Sequence, residues 1–508
     1  MPSIPENSPH KSHSADDEPS AAAAVASAAS TVTAEVTPAA APTASPPQPT
    51  RSWQGVRALL VRLHFYAGVF VAPFLVVAAL TGLAYTFTPQ LDQLVYGDQL
   101  RVERVTGQQH SLAEQIAAAR AAHPEGTLAS VSTPPGPEYT TRVVLSVPEL
   151  GDRQRTVFVD PYTGKVTGEL TTWWGSTPLT TWLDDLHRNL HLGESGRLYS
   201  EVAASWLWVI VAGGLVLWLG RSRGQRAKSV RGALLPDRAA RGVRRTRSWH
   251  AATGVWLALA LFFLSATGLT WSNHAGARFG ELLDAVHAHA PELDTALPTA
   301  DSGQSGDSGE HAGHEAAHGS AKNDPAAFDS VLTVAREAGL GGTVEVTPPA
   351  DGNSAWTVAQ RDTTWPVHYD QVAVDAKTGE VTADNRWADY PVLAKLSKLG
   401  VGGHMGVLFG LANQIVLAAV AIGLLLVIVW GYRMWWQRRP TRDGRKTTMG
   451  KAPERGVWRR LPLPVLILGI PAVAALGWGL PVLGVSLLGF VALDAVVGLV
   501  QRNRASAG

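Results

Sequence analysis

The chain has 508 residues, a formal net charge of +1 and no cysteine. Without cysteine there is no disulfide framework, thiolate zinc site, iron–sulfur cluster or CxxCH haem attachment, so any redox cofactor has to be held by histidine. Runs of more than 18 apolar residues place the chain among membrane proteins with lipid as a partner, and the near-balanced charge gives no reason to expect nucleic acid.

Residues 1–54 are mostly Ala, Pro, Ser and Thr with early acids and no apolar core, which predicts a disordered tail without a secretory signal peptide. A first transmembrane helix is expected within residues 55–90, a soluble unit over 91–201, and a second transmembrane helix over 202–220. The following loop, 221–247, carries ten Lys/Arg and only Asp237 as an acid, so the positive-inside rule makes it cytoplasmic. A third transmembrane helix then runs outward over 248–272, a second external unit covers 273–405, and a fourth helix returns over 406–432. The basic stretch 433–460 is again cytoplasmic, and residues 461–500 read as a transmembrane hairpin of two helices. Arg502 and Arg504 put the C-terminus inside with the N-terminal tail.

The first apolar segment, VRLHFYAGVFVAPFLVVAALTGLAYTF, is written again as SWHAATGVWLALALFFLSATGLTWSN. Superposing His64 on His250 also superposes Gly68 on Gly254, Thr81 on Thr267 and Gly82 on Gly268, at an offset of 250 − 64 = 186 with no gap. At about 3.6 residues per turn His64, Gly68 and Gly82 share a helix face, which leaves room beside the imidazole for a flat, wide group. Close helix packing is the other meaning of such glycines.

The soluble stretches repeat as well. SLAEQIAAARAAHPEG and FDSVLTVAREAGLGG read as helices, each followed by strands and by DPYTG or DAKTG, where the glycine supplies the positive φ of a hairpin turn. The offset grows to 375 − 160 = 215, so about 29 inserted residues precede Phe328. Residues 291–323, acidic and rich in Gly and Ser, are the expected insert without a core. Within it His311, His314 and His318 have the spacing of a metal-binding tract for a borderline ion, or belong to a solvated linker.

This arrangement resembles the PepSY-associated transmembrane helix family, which includes iron-regulated membrane proteins and inner-membrane ferric-siderophore reductases. The markers are LHFYAG, LHRNLHLGESGR, SWHAATG and GGHMG, and the likeness spans roughly residues 55–437. It implies an α-helical membrane protein with a duplicated transmembrane bundle, two small extracytoplasmic α+β PepSY-like units and, outside the match, the C-terminal transmembrane hairpin.

Two imidazoles facing each other across a bundle can ligate a b-type haem without cysteine. His64 and His250 are the expected pair at the cytoplasmic face, with Gly68 and Gly254 beside them. His191 with His404 is the expected outer pair and His187 the alternative, being i, i+4 to His191 on a helix. Inner and outer levels are about 18 residues, or about 27 Å, of helix apart. The expected function is therefore electron passage across the cytoplasmic (inner) membrane through one or two b-type haems. The donor is a quinol or a cytoplasmic reductase, and the acceptor is ferric iron or a ferric siderophore, as the resemblance implies. Arg188 and Arg197 suit outer haem propionates and Arg62 inner ones, or lipid headgroups. The tryptophans near the helix ends, such as Trp173, Trp174 and Trp271, suit interfacial anchoring. A non-redox PepSY-type protein binding a peptide, a protease partner or a metal is the alternative. Transport is disfavoured because the first four apolar spans contain no acidic residue to couple an ion.

Overall fold

The computed structural model describes residues 51–221, 234–297, 324–438 and 461–506. The expected tail over residues 1–50, most of both basic loops (222–233 and 439–460) and His311, His314 and His318 lie outside the described residues.

The first span is not one straight helix. It is built from α1 (Arg51–Phe70) and α2 (Ala72–Thr86), bent by 55° at Val71. Pro73, in the first turn of α2, has no N–H to donate to the carbonyl four residues back, on Val69. That carbonyl accepts the Tyr432 hydroxyl at 2.9 Å instead. Residues 51–54, expected in the tail, already belong to α1.

From α2 the chain enters α3 (Thr88–Leu100) and then a layer of helices on a sheet. Helix α4 (Leu112–Ala122) begins where SLAE predicts, with Ser111 and Glu114 forming a reciprocal capping box. Strands β1 (Thr127–Ser132), β2 (Thr141–Ser146), β3 (Gln154–Val159) and β4 (Val166–Thr172) follow. After the next two spans, described below, come β5 (Val344–Thr347), β6 (Trp356–Gln360), β7 (Gln371–Asp375) and β8 (Glu380–Asn385). Gly164 and Gly379, at φ +64° and +72°, close the β3–β4 and β7–β8 turns by donating to the carbonyls of Asp160 and Asp375.

The two sets of strands do not form two separate sheets. They make one eight-stranded antiparallel sheet in the order β4-β3-β2-β1-β5-β6-β7-β8, joined by β1 to β5 with Val131 opposite Val346. Each set of four would have two edge strands; joining β1 to β5 removes one edge from each set and leaves β4 and β8 as the edges of the sheet. Between the third span and β5 lie α8 (Asn273–Ala285) and α9 (Pro325–Glu337), and a shared core forms between the sheet and its helices, with Ile116 and Ala119 from α4 meeting Phe328 and Val331 from α9 on Val131, Val143 and Val344. Residues 291–297 also differ from the expected coreless insert: Leu297 is buried, and Ala296 bridges to Ser354 at the flank of β6.

The bundle is formed by α1/α2, α6 (Gly193–Arg221), α7 (Gly242–Thr270) and α11 (Leu411–Gln437), followed by the hairpin α12 (Leu463–Gly479) and α13 (Pro481–Ser506). Among the described residues, α6, α7, α11 and α13 are long and apolar enough to cross a membrane, and the bent α1/α2 pair is a fifth candidate. The protein is therefore a helical membrane protein that also carries a sheet. Helix α12, apolar throughout, is shorter than these spans at 17 residues, or about 25 Å. Helix α13 packs on α6 through Leu483, which is buried with Ala203, Trp206 and Leu207, and through a 2.9 Å bond from Trp206 Nε1 to Ser486 Oγ. Its Asp494 forms an ion pair with buried Arg62 of α1, whose guanidinium also lies 5.1 Å from the Tyr66 ring centre.

Candidate functional site

Four histidines meet in two pairs, one at each end of the bundle. At the end remote from the sheet, the rings of His64 on α1 and His250 on α7 have centroids 6.2 Å apart at an interplanar angle of 81°. Each Nδ1 lies against a main-chain carbonyl of the next span: Ile210 O on α6 at 3.0 Å and Val427 O on α11 at 2.9 Å. A carbonyl can only accept, so each Nδ1 carries a proton, and in the neutral imidazole the lone pair is then on Nε2.

The pair nearer the sheet stands on two short helices that lead into spans. Helix α5 (Pro178–Asn189) starts at Thr177, whose hydroxyl accepts from Thr180 N, and holds His187 in its last turn. Helix α10 (Val392–Met405) ends at Gly406 in the left-handed region, with His404 again in the last turn. The His187 and His404 centroids are 6.4 Å apart. Here Nδ1 meets a side chain: Thr81 Oγ1 at 2.9 Å for His187 and Thr267 Oγ1 at 2.7 Å for His404. Burial lowers both imidazoles to about 4, so both are neutral at pH 7.

His191, expected to face His404, does not. Helix α5 ends at Asn189, and Leu190 and His191 both take φ of 55°, so the i, i+4 relation to His187 is lost. His191 is exposed and lies 5.0 Å from the Trp182 ring. A signal for His187 was present in the sequence: 404 − 187 = 217 equals 431 − 214 = 217, so His187 and Gly214 map onto His404 and Gly431 in one gapless register.

Those glycines are the ones that face the rings. A Cβ built on Gly214 stands 3.1 Å from His64 Cε1, on Gly82 3.0 Å from His187 Cε1, on Gly268 3.5 Å from His404 Cε1, and on Gly431 3.7 Å from His250 Cε1. Each imidazole thus lies on a glycine of the neighbouring helix, a relation between helices that the face of a single helix does not reveal. Beside Gly68 and Gly254 a Cβ meets no atom within 4 Å, so both border open space.

The sheet-side pair lines a cavity of about 230 Å³, whose wall includes Tyr85, Arg188, Arg197 and Trp271. One water needs only about 10–15 Å³ of such volume, so the space suits a larger occupant. The Arg188 guanidinium is ion-paired, its Nε 3.6 Å from Asp184 and its Nη2 donating to Asp185 at 3.4 Å, and it lies over the Trp173 ring; its buried Nε makes no hydrogen bond. Arg197 donates to Trp271 O at 3.1 Å.

Two imidazoles sharing one metal ion through nitrogens at about 2 Å have centroids about 6 Å apart, and both pairs have that spacing. Among the described residues no group of three or more His, Cys, Asp or Glu is arranged to hold a metal ion. A metal at either level would therefore take two protein nitrogens and need its remaining ligands from a non-protein group.

The model of the PepSY-associated TM region matches residues 61–438. The chain belongs to that family. No curated protein matches it. Both histidine pairs lie within the stretch matched to the PepSY-associated TM region, whereas the α12–α13 hairpin, with Asp494, lies beyond it.

Proposed function

We propose that the chain is a b-type haem protein that carries electrons across the cytoplasmic membrane to an acceptor on the sheet side. The observation that carries this reading is the paired spacing of 6.2 Å and 6.4 Å between neutral-tautomer imidazoles at two levels of one bundle. A haem iron bound by two histidines would supply one-electron chemistry at each level. His64 and His250 would hold one haem and His187 and His404 the other, with open space at Gly68 and Gly254 for the first and the cavity for the second. Arg197 and Arg188, both in the cavity wall, are the arginines placed to pair with haem carboxylates at the sheet-side level, Arg188 while also ion-paired to Asp184 and Asp185. Arg62 is less suited to that role than its sequence position suggests, since Asp494 already engages it.

In this reading the basic loops face the cytoplasm and both termini lie there, so the remote pair receives electrons from a quinol or a cytoplasmic reductase. The sheet, built from two duplicated PepSY-like halves, faces outward and borders the acceptor, ferric iron or a ferric siderophore. The test is a reduced-minus-oxidised spectrum of the purified full chain with haem quantification. Red protein with two haems per chain supports the reading. Colourless protein from haem-replete cells would leave a non-redox PepSY-type binding protein for a peptide, protease partner or metal.

A further inference from the structure

The two imidazole pairs are oriented by different chemistry. At the remote level the acceptors of Nδ1–H are main-chain carbonyls of Ile210 and Val427, which no substitution removes. At the sheet-side level they are the hydroxyls of Thr81 and Thr267. Each hydroxyl has one proton and directs it to the carbonyl one turn back, on Val77 at 2.8 Å and on Phe263 at 2.7 Å. With that proton directed to the carbonyl, the lone pair of the oxygen meets the imidazole, the arrangement in which His187 and His404 donate from Nδ1 and keep Nε2 unprotonated. Threonine in an apolar helix commonly bonds back to its own helix, and that need is already met here without any histidine. The second bond is additional, it occurs at both matched positions, and in each case the next residue is the glycine on which the ring lies.

We infer that Thr81 and Thr267 are positioning residues that fix the tautomer of His187 and His404 and strengthen them as metal ligands, making the sheet-side site the one whose redox potential is set by side chains. This rests on the haem reading of the pairs. An imidazole whose Nδ1–H has an acceptor is a more basic ligand and favours the oxidised metal. Replacing the hydroxyl by a methyl group of the same shape removes the acceptor and leaves the helix packing in place.

The experiment is a potentiometric titration of the purified full chain, followed at the haem bands, for the unaltered protein and for Thr81→Val, Thr267→Val and Thr81→Ser. In the unaltered protein two one-electron waves are expected. Thr81→Val should move one wave to higher potential and weaken haem retention at that site by about 10–100-fold, the range typical of lost outer-shell partners. Thr81→Ser should restore the wave. In a His187→Ala background, Thr81→Val should add nothing to the remaining wave. Two unmoved waves in Thr81→Val and Thr267→Val, or equal movement of both waves, would overturn the inference while leaving the haem reading standing. An unaltered protein without haem would overturn the haem reading itself. Should the valine variants fail to assemble, Thr81→Ala and Thr267→Ala make the same distinction.

Discussion

The remote and sheet-side histidine pairs have nearly equal spacing, 6.2 Å and 6.4 Å, yet they differ in what surrounds them. The remote pair is set entirely by spans: both histidines lie on spans, both acceptors are span carbonyls, and Gly214 and Gly431 make room on neighbouring helices. The sheet-side pair stands on the last turns of α5 and α10, depends on two threonine hydroxyls and opens into a cavity with two arginines in its wall. The same spacing is thus reached once through backbone and once through side chains. The first arrangement takes its acceptors from the backbone, and the second borders the cavity.

The sharpest way to break the comparison is to remove one imidazole at a time. His64→Ala or His250→Ala should eliminate one haem equivalent, and His187→Ala or His404→Ala the other, with double variants inside a pair no worse than the singles. Haem quantification reads this directly, and retention of both haems in any of the four refutes that ligand.

A smaller effect is expected from disturbing the hairpin. Asp494→Asn removes the carboxylate charge that faces Arg62, only 6% exposed in its side chain. A fully buried pair broken this way costs about 3–5 kcal/mol, and because Asp494 keeps 30% of its side chain exposed a loss of about 1–3 kcal/mol is expected. Thermal unfolding in detergent measures it, and an unchanged midpoint would mean that the hairpin is not anchored through this pair.

Glycine substitutions sharpen the comparison further. Gly82→Ala and Gly214→Ala bring a methyl group to 3.0 Å and 3.1 Å of an imidazole carbon and should displace it by a few tenths of an ångström. Gly268→Ala and Gly431→Ala, at 3.5 Å and 3.7 Å, meet ordinary contact and should do less. The haem absorption band of the affected level should shift in the first two and stay near its original position in the second two. The smallest effect belongs to His191→Ala. With its ring against exposed Trp182, the variant should keep both haems and both potentials.

Much of this architecture is legible in the sequence because its signals are local. Apolar runs mark the spans, SLAE marks the start of α4, and Gly164 and Gly379 mark the tight turns, since each depends on residues within one or two turns of chain. What was misread depends on partners far away in sequence. Matching His191 to His404 across the repeat needs a gap of a few residues, whereas His187 matches without one, and helix α5 stops short of His191, with Leu190 and His191 both at φ 55°. The bend at Pro73 was written in the sequence, but the hydroxyl that satisfies the freed Val69 carbonyl comes from Tyr432, 363 positions away.

By itself the sequence determined that this is a membrane protein without cysteine, and that matched histidines recur at helix ends. Composition and periodicity suffice for that, because partition into lipid and helix formation are properties of short segments. Tertiary structure alone decided which imidazole faces which, which glycine receives each ring, and whether a carbonyl or a hydroxyl fixes its tautomer. Those outcomes depend on how separate helices pack, and a few ångströms of offset between helices exchange one neighbour for another.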